Sequence, residues 1–272
     1  MTTDTTYLLG HDPAELARLE HQARMLAPAT RTVLQLAGIA PGMRVLDLGT
    51  GAGDVAFQVA ELVGPTGSVV GIDQSDQALA FAAHRATQRG LTNVSFVHDD
   101  LRTVPIDGKF DAVVGRLVLL YLPLPDDVLR RFAGQVRQGG IVAVMEYEMA
   151  AAGTLPPTAL SEQVTSWVTE SFRRSGLDAS LGARLGQVLL RAGLDGATTL
   201  GVQKYCEAGD SDGPRMAAGI IRTLLPVLDR TGVATRDEVD IDTLEERIAH
   251  DCITHDVIFK FPTLVGAWAR VA

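Results

Sequence analysis

The chain has 272 residues, 46% of them hydrophobic, which suits one large α/β domain with an elaboration or a domain with a cap. Its formal net charge is −9, from 33 acidic against 24 basic residues, and no run of Lys or Arg stands out, which argues against a nucleic acid or an anionic membrane as partner. The longest apolar run, Leu117 to Leu124, is too short for a bilayer, and Met-Thr-Thr-Asp at the start has no signal-peptide character. Cys206 and Cys252 provide neither a disulfide framework nor paired-ligand spacing, so a cytoplasmic protein is expected.

Asp12-Pro13-Ala14-Glu15 is a helix start, with an acidic cap, Pro in the first turn and Glu three residues on. The pattern predicts a helix to about Ala27, a break before Pro28, and a second helix from Ala29 to Ala37 that ends at Gly38. Strands and helices then alternate. Strands are expected at 44–48, 68–73, 94–98, 110–114 and 141–148, and helices at 54–63, 75–89 and 126–136. Near-continuous apolar strands separated by helices specify a parallel sheet covered on both faces. The second half breaks that rhythm, with helical patterns at 156–175, 181–192, 214–228 and 243–252, an alternating strand pattern at 198–206 and a last strand at 263–271. The division expected is a helical cap segment at 1–40, a ligand-binding core at 41–150, and helical lid insertions with the last two strands at 151–272.

The most informative stretch is Val45-Leu-Asp-Leu-Gly-Thr-Gly-Ala-Gly-Asp54, where a strand runs into three alternating glycines and then a helix. Such a junction turns tightly and exposes bare main chain to a ligand. A dinucleotide fingerprint needs its third glycine at position 54, which is Asp54. The run instead reads Asp-x-Gly-x-Gly-x-Gly from Asp47 to Gly53, and it resembles the first motif of the class I S-adenosylmethionine (SAM)-dependent methyltransferases. Asp73, at the end of the second strand, supports nucleoside binding of either kind, because a carboxylate there accepts from both ribose hydroxyls. Phe96-Val-His-Asp-Asp-Leu101 resembles the family's third motif, and the segments from Asp111 to Leu122 and from Val136 to Gly140 resemble the remaining ones. Tyr7-Leu-Leu-Gly-His11, with the Arg18/Gln22 helix face, is similar to a bacterial small-molecule subgroup in which this segment folds over the cofactor.

The resemblance implies a Rossmann-like, mostly parallel seven-stranded sheet with an antiparallel last strand, and SAM as cofactor with S-adenosylhomocysteine (SAH) as product. It carries cofactor contacts onto Tyr7, Asp47, Gly49, Thr50, Gly51, Gly53, Asp73, Gln74, Asp99, Asp100, Leu101 and Arg116. By register Asp100 accepts from the adenine amino group and Leu101 packs on the ring, with the choice between Asp99 and Asp100 open by one place. A helix cap at the surface is the competing reading of that pair.

Methyl transfer from a sulfonium is an in-line displacement in which positive charge disappears, so alignment and exclusion of water come first, and a base matters only for a protonated nucleophile. Candidate catalytic groups are Glu146, Arg116 and Tyr147, with Tyr121, Glu148, Trp167, Glu170, Arg173 and His255 behind them. An acid at the end of a buried parallel strand is costly unless used or paired, which favours Glu146, with a structural ion pair as its alternative. The Asp/Asn-Pro-Pro-aromatic signature and a Mg²⁺-binding acidic cluster are absent, and His250-Asp-Cys-x-x-His-Asp256 matches no tight metal motif, so no metal is expected. The acceptor expected is a small metabolite under a helical lid. Alternatives are a SAM-binding enzyme or module that transfers no methyl group, and a protein-modifying methyltransferase; a homodimer is left open.

Overall fold

The computed structural model describes residues 13–105 and 108–272, with side chains of residues 13–22 excepted. In chain order the elements are α1 (Pro13–Ala37), β1 (Arg44–Leu48), α2 (Asp54–Val63), β2 (Ser68–Asp73), α3 (Asp76–Gln88), β3 (Val94–His98), β4 (Phe110–Arg116), a 3-10 turn (Leu119–Tyr121), α4 (Pro125–Ala133) and β5 (Val136–Glu148). They continue with β6 (Gly153–Leu155), α5 (Ala159–Arg174), α6 (Leu185–Arg191), β7 (Thr198–Val202), β8 (Tyr205–Cys206), α7 (Asp212–Thr231), α8 (Arg236–Val239), α9 (Ile241–His255), β9 (Ile258–Lys260) and β10 (Thr263–Arg270). Among the described residues no helix is long and apolar enough to cross a membrane.

The large sheet has seven strands in the order β3-β2-β1-β4-β5-β10-β7, mostly parallel with one antiparallel strand, as the sequence pattern and the resemblance imply. Val45 lies opposite Val69 on one side and Ala112 on the other, and Ala112 lies opposite Ile141. The chain winds outward from β1 to β2 and β3, then crosses back to β4 and β5, so its direction of winding reverses between β1 and β4. Loops diverge there at the carboxyl ends, which is where open parallel sheets bind ligands. Strands β4 and β5 are buried along their middles because helices cover both faces, and α2 buries Val55, Ala56, Phe57, Val59, Ala60 and Val63.

The chain divides into two compact units. Among the described residues the core unit comprises those of 23–146, 183–200 and 265–272; the other comprises 13–22, 147–182 and 201–264. Within the second unit α5, α7 and α9 pack together beside a small antiparallel sheet of order β6-β9-β8. Thr158 caps α5 by accepting from the Ser161 amide, and its own hydroxyl donates to Asp251 on α9 at 2.5 Å.

Three expectations change. Pro28 does not break the first helix: α1 is continuous, with Pro28 inside it. Pro28 is exposed, so the bond it removes is on the wet face, while Ala23, Leu26, Thr30, Val33, Leu34 and Ala37 keep one buried stripe through it. Strand β5 begins at Val136, where a helix end was expected; Val136 pairs with Phe110 across a register shift, and bare Gly140 lies where a Cβ would come within 2.7 Å of the Asp111 carbonyl. Helix α6, expected among the lid insertions, belongs to the core unit, beside α4.

Helix α1 and β10 fit closely because Gly266 has no side chain: a Cβ there would stand 2.5 Å from Val33 Cγ1. Gly266→Ala is expected to destabilise the chain by about 1–3 kcal/mol through overpacking. A Gly266→Ala/Val33→Ala double variant should show a favourable coupling in chemical denaturation.

Candidate functional site

The carboxyl edge of the core unit is organised by the glycine run after β1. Gly49, Gly51 and Gly53 have φ of 62°, 51° and 85°, the left-handed region that side chains disfavour. A Cβ on Gly49 would meet Val118 at 2.3 Å, and one on Gly53 would meet the Phe57 ring at 2.5 Å, so those two glycines also let neighbours pack against bare backbone. A Cβ on Gly51 would meet nothing within 4 Å. Gly51 is therefore the point of the loop where a ligand can lie on main chain. The Thr50 amide donates to Ile72 and the Gly53 amide to Thr50, both at 2.9 Å, which closes the turn.

Two carboxylates hold this loop. Asp47 is 0% exposed; its Oδ2 accepts from the Thr50 hydroxyl at 2.7 Å, and its Oδ1 has no hydrogen-bond partner among the described residues. Burial pushes its pKa up to about 7, against the Thr50 hydrogen bond and the Arg116 charge. Asp73 accepts from the Gly51 amide through one oxygen and from the Ser75 amide through the other, both at 2.9 Å. It thus pins the open glycine and starts α3 with the same group.

The next strand supplies a second loop. The Asp99 amide donates to the Asp73 carbonyl at 3.0 Å, and Asp99 Oδ1 accepts from the Asp100 amide at 2.7 Å. Asp100 is paired with Arg102 through both oxygens, which lowers its pKa. Leu101 is buried, and its carbonyl accepts from Arg131 on α4 at 2.7 Å. Gln74 is exposed beside Asp73, and its carbonyl lies 2.9 Å from His98 Nε2.

At the ends of β4 and β5, Arg116 donates to the buried Thr30 hydroxyl of α1 at 2.8 Å. Glu146 is 1% exposed and accepts through Oε1 from the Leu119 and Leu120 amides at 2.7 and 3.3 Å. Burial raises its pKa to about 7, against those backbone bonds. No ion pair to Glu146 is seen among the described residues; the groups it meets are backbone amides.

The core unit thus brings together Asp47, Gly49, Thr50, Gly51, Gly53, Asp73, Gln74, Asp99, Asp100, Leu101, Arg116 and Glu146. Tyr147 and Glu148 fall in the other unit, where Tyr147 is buried and Glu148 accepts from the Ser180 hydroxyl at 2.9 Å. Trp167 packs in that unit's interior, while Arg173 and Arg174 each pair with Glu170 at its surface, which holds Glu170 at about 2. His255 lies 3.1 Å from Asp251 and is mostly exposed. No group of three or more His, Cys, Asp or Glu side chains is placed to hold a metal among the described residues. Tyr7 lies outside the described residues, and so do the side chains of Arg18 and Gln22.

One residue that sequence reasoning missed is Arg85. It is 9% exposed, donates to the Ala52 carbonyl at 2.6 Å and to Asp54 at 2.7 Å, and lies over the Phe57 ring. From α3 it clamps the exit of the glycine run. A signal was present: position 85 falls on the same helical face as Leu79, Ala82 and Ala86.

The profile of a family described as a methyltransferase domain matches residues 39–188. The ubiquinone/menaquinone biosynthesis C-methyltransferase UbiE of Ectopseudomonas mendocina is 36% identical over 119 residues, which cover 43% of this chain and 46% of that protein. An arsenite methyltransferase of Aquipseudomonas alcaligenes is 41% identical over 107 residues, 36% of this chain and 31% of that one. The chain spans less than half the length of these curated relatives. In fold it is similar to a SAM-dependent methyltransferase from Aquifex aeolicus (TM-score 0.52, 24% identity, 68% of this chain and 89% of that one). It is also similar to the [4+2]-cyclase SpnF (TM-score 0.51, 23% identity, 90% and 81%).

Asp47 and Glu146 make stability depend on pH. Their folded-state pKa values, about 7, lie above the ordinary 3.8 and 4.5. The contribution of these groups is complete below those ordinary values and is lost as pH rises through 7. The melting temperature of the ligand-free chain should therefore fall across that window, and Asp47→Asn should flatten the fall. Gly49→Ala, which meets both an unfavourable φ and Val118, is expected to cost about 2 kcal/mol or more in denaturant unfolding.

Proposed function

The chain belongs to the methyltransferase-domain family, the class I SAM-dependent methyltransferases, and on that premise we propose that it transfers the methyl group of SAM to a small-molecule acceptor. The observation that carries the reading is the loop from Asp47 to Gly53, with an open main-chain surface at Gly51 and the Asp73 carboxylate beside it.

The residues present fit this cofactor. Asp73 would accept from the ribose hydroxyls, and the Asp99–Leu101 segment would meet the adenine, with Asp100 as the acceptor already oriented by Arg102. Asp47 and Arg116 would provide opposite charges for the ammonium and carboxylate of the methionine end; the bare Oδ1 of Asp47 is an acceptor in want of a donor. Gln74 would border the nucleoside. Bound SAM supplies an electrophilic methyl group on a sulfonium. The chain's own residues then have to align the acceptor with that methyl and keep water away, which accounts for much of the acceleration without an essential base. In the core unit Arg116 remains the candidate for contact with the reacting groups.

Within the second unit itself lies a cavity of about 40 Å³ lined by Met149, Val164, Val168, Met216, Ile248 and Phe259, among others, which suits a small ligand with an apolar portion. Two of those residues are methionines, whose unbranched side chains adapt to a guest. The two relatives, a quinone-biosynthesis C-methyltransferase and an arsenite methyltransferase, are both named for small molecules. Because one fold hosts many chemistries, the second reading is a SAM-binding enzyme that transfers no methyl group.

Calorimetry should give a SAM dissociation constant of about micromolar, or roughly −8 kcal/mol. Asp73→Ala should weaken it by about tenfold or more, the loss of one or two charge-assisted hydrogen bonds. Undiminished affinity in that variant would refute the ribose assignment. SAH formation with a member of a broad acceptor panel supports methyl transfer; tight SAM binding without SAH from any acceptor favours the second reading.

A further inference from the structure

Glu146 was singled out as an acid, yet its surroundings are those of a hydrogen-bond acceptor. Its Oε1 takes the amides of Leu119 and Leu120, and the amide of Val118 also bears on the carboxylate. These are the first N–H groups of a 3-10 turn, donors with no partner inside the turn itself. The same turn is tied to β5 at its base, where the Leu117 amide donates to Met145 at 2.8 Å, and it is entered through Leu117 at φ 56°, a conformation a leucine holds only when its surroundings impose it.

The side chain that this turn presents is Val118. It fills the space that side chains on Gly49 and Gly115 would occupy, at 2.3 and 3.2 Å from the positions their Cβ atoms would take. Val118 is thus wedged between the β4 backbone and the first glycine of the cofactor loop. One covalent step on, the Thr50 and Gly51 amides make the bonds to Ile72 and Asp73 that close that loop. A chain of contacts runs from the Glu146 carboxylate, through the turn and Val118, to Gly49.

We propose that Glu146 is a positioning residue: its carboxylate seats the 117–121 turn, Val118 of that turn sets the resting place of the glycine loop, and Glu146 takes no proton from the acceptor. The proposal rests on the cofactor reading above for its consequence, but its first readout does not.

That readout is amide hydrogen exchange on the ligand-free chain. Glu146→Ala should speed exchange by about tenfold or more at Leu119 and Leu120 and also at Thr50 and Gly51, whereas Glu146→Gln, whose amide oxygen still accepts, should keep both segments near the parent. The second readout is SAH binding by calorimetry: about tenfold weaker or more in Glu146→Ala, within about threefold of the parent in Glu146→Gln. Acceleration confined to Leu119 and Leu120, or parent-like SAH affinity in Glu146→Ala, overturns the proposal. So does a Glu146→Gln enzyme that binds SAH normally yet has lost methyl transfer to an acceptor the parent uses, since that is the behaviour of a base. Should Glu146→Ala fail to fold, Val118→Ala decides: it keeps the carboxylate and removes the wedge, so faster exchange at Thr50 and Gly51 supports the proposal and parent-like exchange overturns it. A parent chain that binds no SAH refutes the cofactor reading, and the exchange result still judges the positioning role.

Discussion

Between Leu48 and Asp54 the backbone enters the left-handed region three times, at Gly49, Gly51 and Gly53, and each entry serves a different neighbour. At Gly49 the missing side chain admits Val118, at Gly53 it admits the Phe57 ring, and at Gly51 it leaves open space. Only glycine satisfies both the dihedral and the packing at the first and third of these positions. The remaining parts of the edge are arranged around that path. Asp73 and Ile72 hold its middle, Arg85 holds its exit, and the turn after β4 presses on its start.

Electrostatically the edge is built against the grain of burial. Asp47 and Glu146 are both out of water, Asp47 near the Arg116 charge and Glu146 with no ion pair seen among the described residues. Their compensation comes from the Thr50 hydroxyl and the nearby Arg116 charge in one case and from backbone amides in the other. These groups offset only part of the loss of hydration, which is why both acids hold their protons to near neutrality. Arg85 solves the opposite problem: a buried cation is matched by Asp54, a carbonyl and aromatic faces.

The parts of this molecule that could be read in advance are those where one residue's neighbours in sequence are also its neighbours in space. Strands β1, β2 and β3 begin and end where their apolar runs do, and the alternating glycines announced the turn because its geometry is local. The errors came where tertiary packing outvoted a local signal. Pro28 is a helix breaker by its own chemistry, yet a buried stripe on the opposite face carries α1 through it. Gly139 and Gly140 read as a stop, but β4 draws Val136 into the sheet before them. Strands β6, β8 and β9 have two or three residues each, too few for any period to show. At the site, the acids and glycines were legible as a motif, while Arg85, Thr30 and Val118 act through partners 30 to 90 residues away, a distance no sequence window spans.

The place of β10 in the sheet has a consequence for the order of assembly. Its eight residues, 263–270, are inserted between β5 and β7, an interior slot with a neighbour on each side. A chain emerging from the ribosome makes β5 and then β7 well before the strand that must separate them. Until that strand arrives, β5 offers an unsatisfied row of amides and carbonyls, the type of edge that invites pairing with the wrong chain. Without β10 the sheet is five strands wide with β5 as an open edge, so the docking of β10 is the step that closes it.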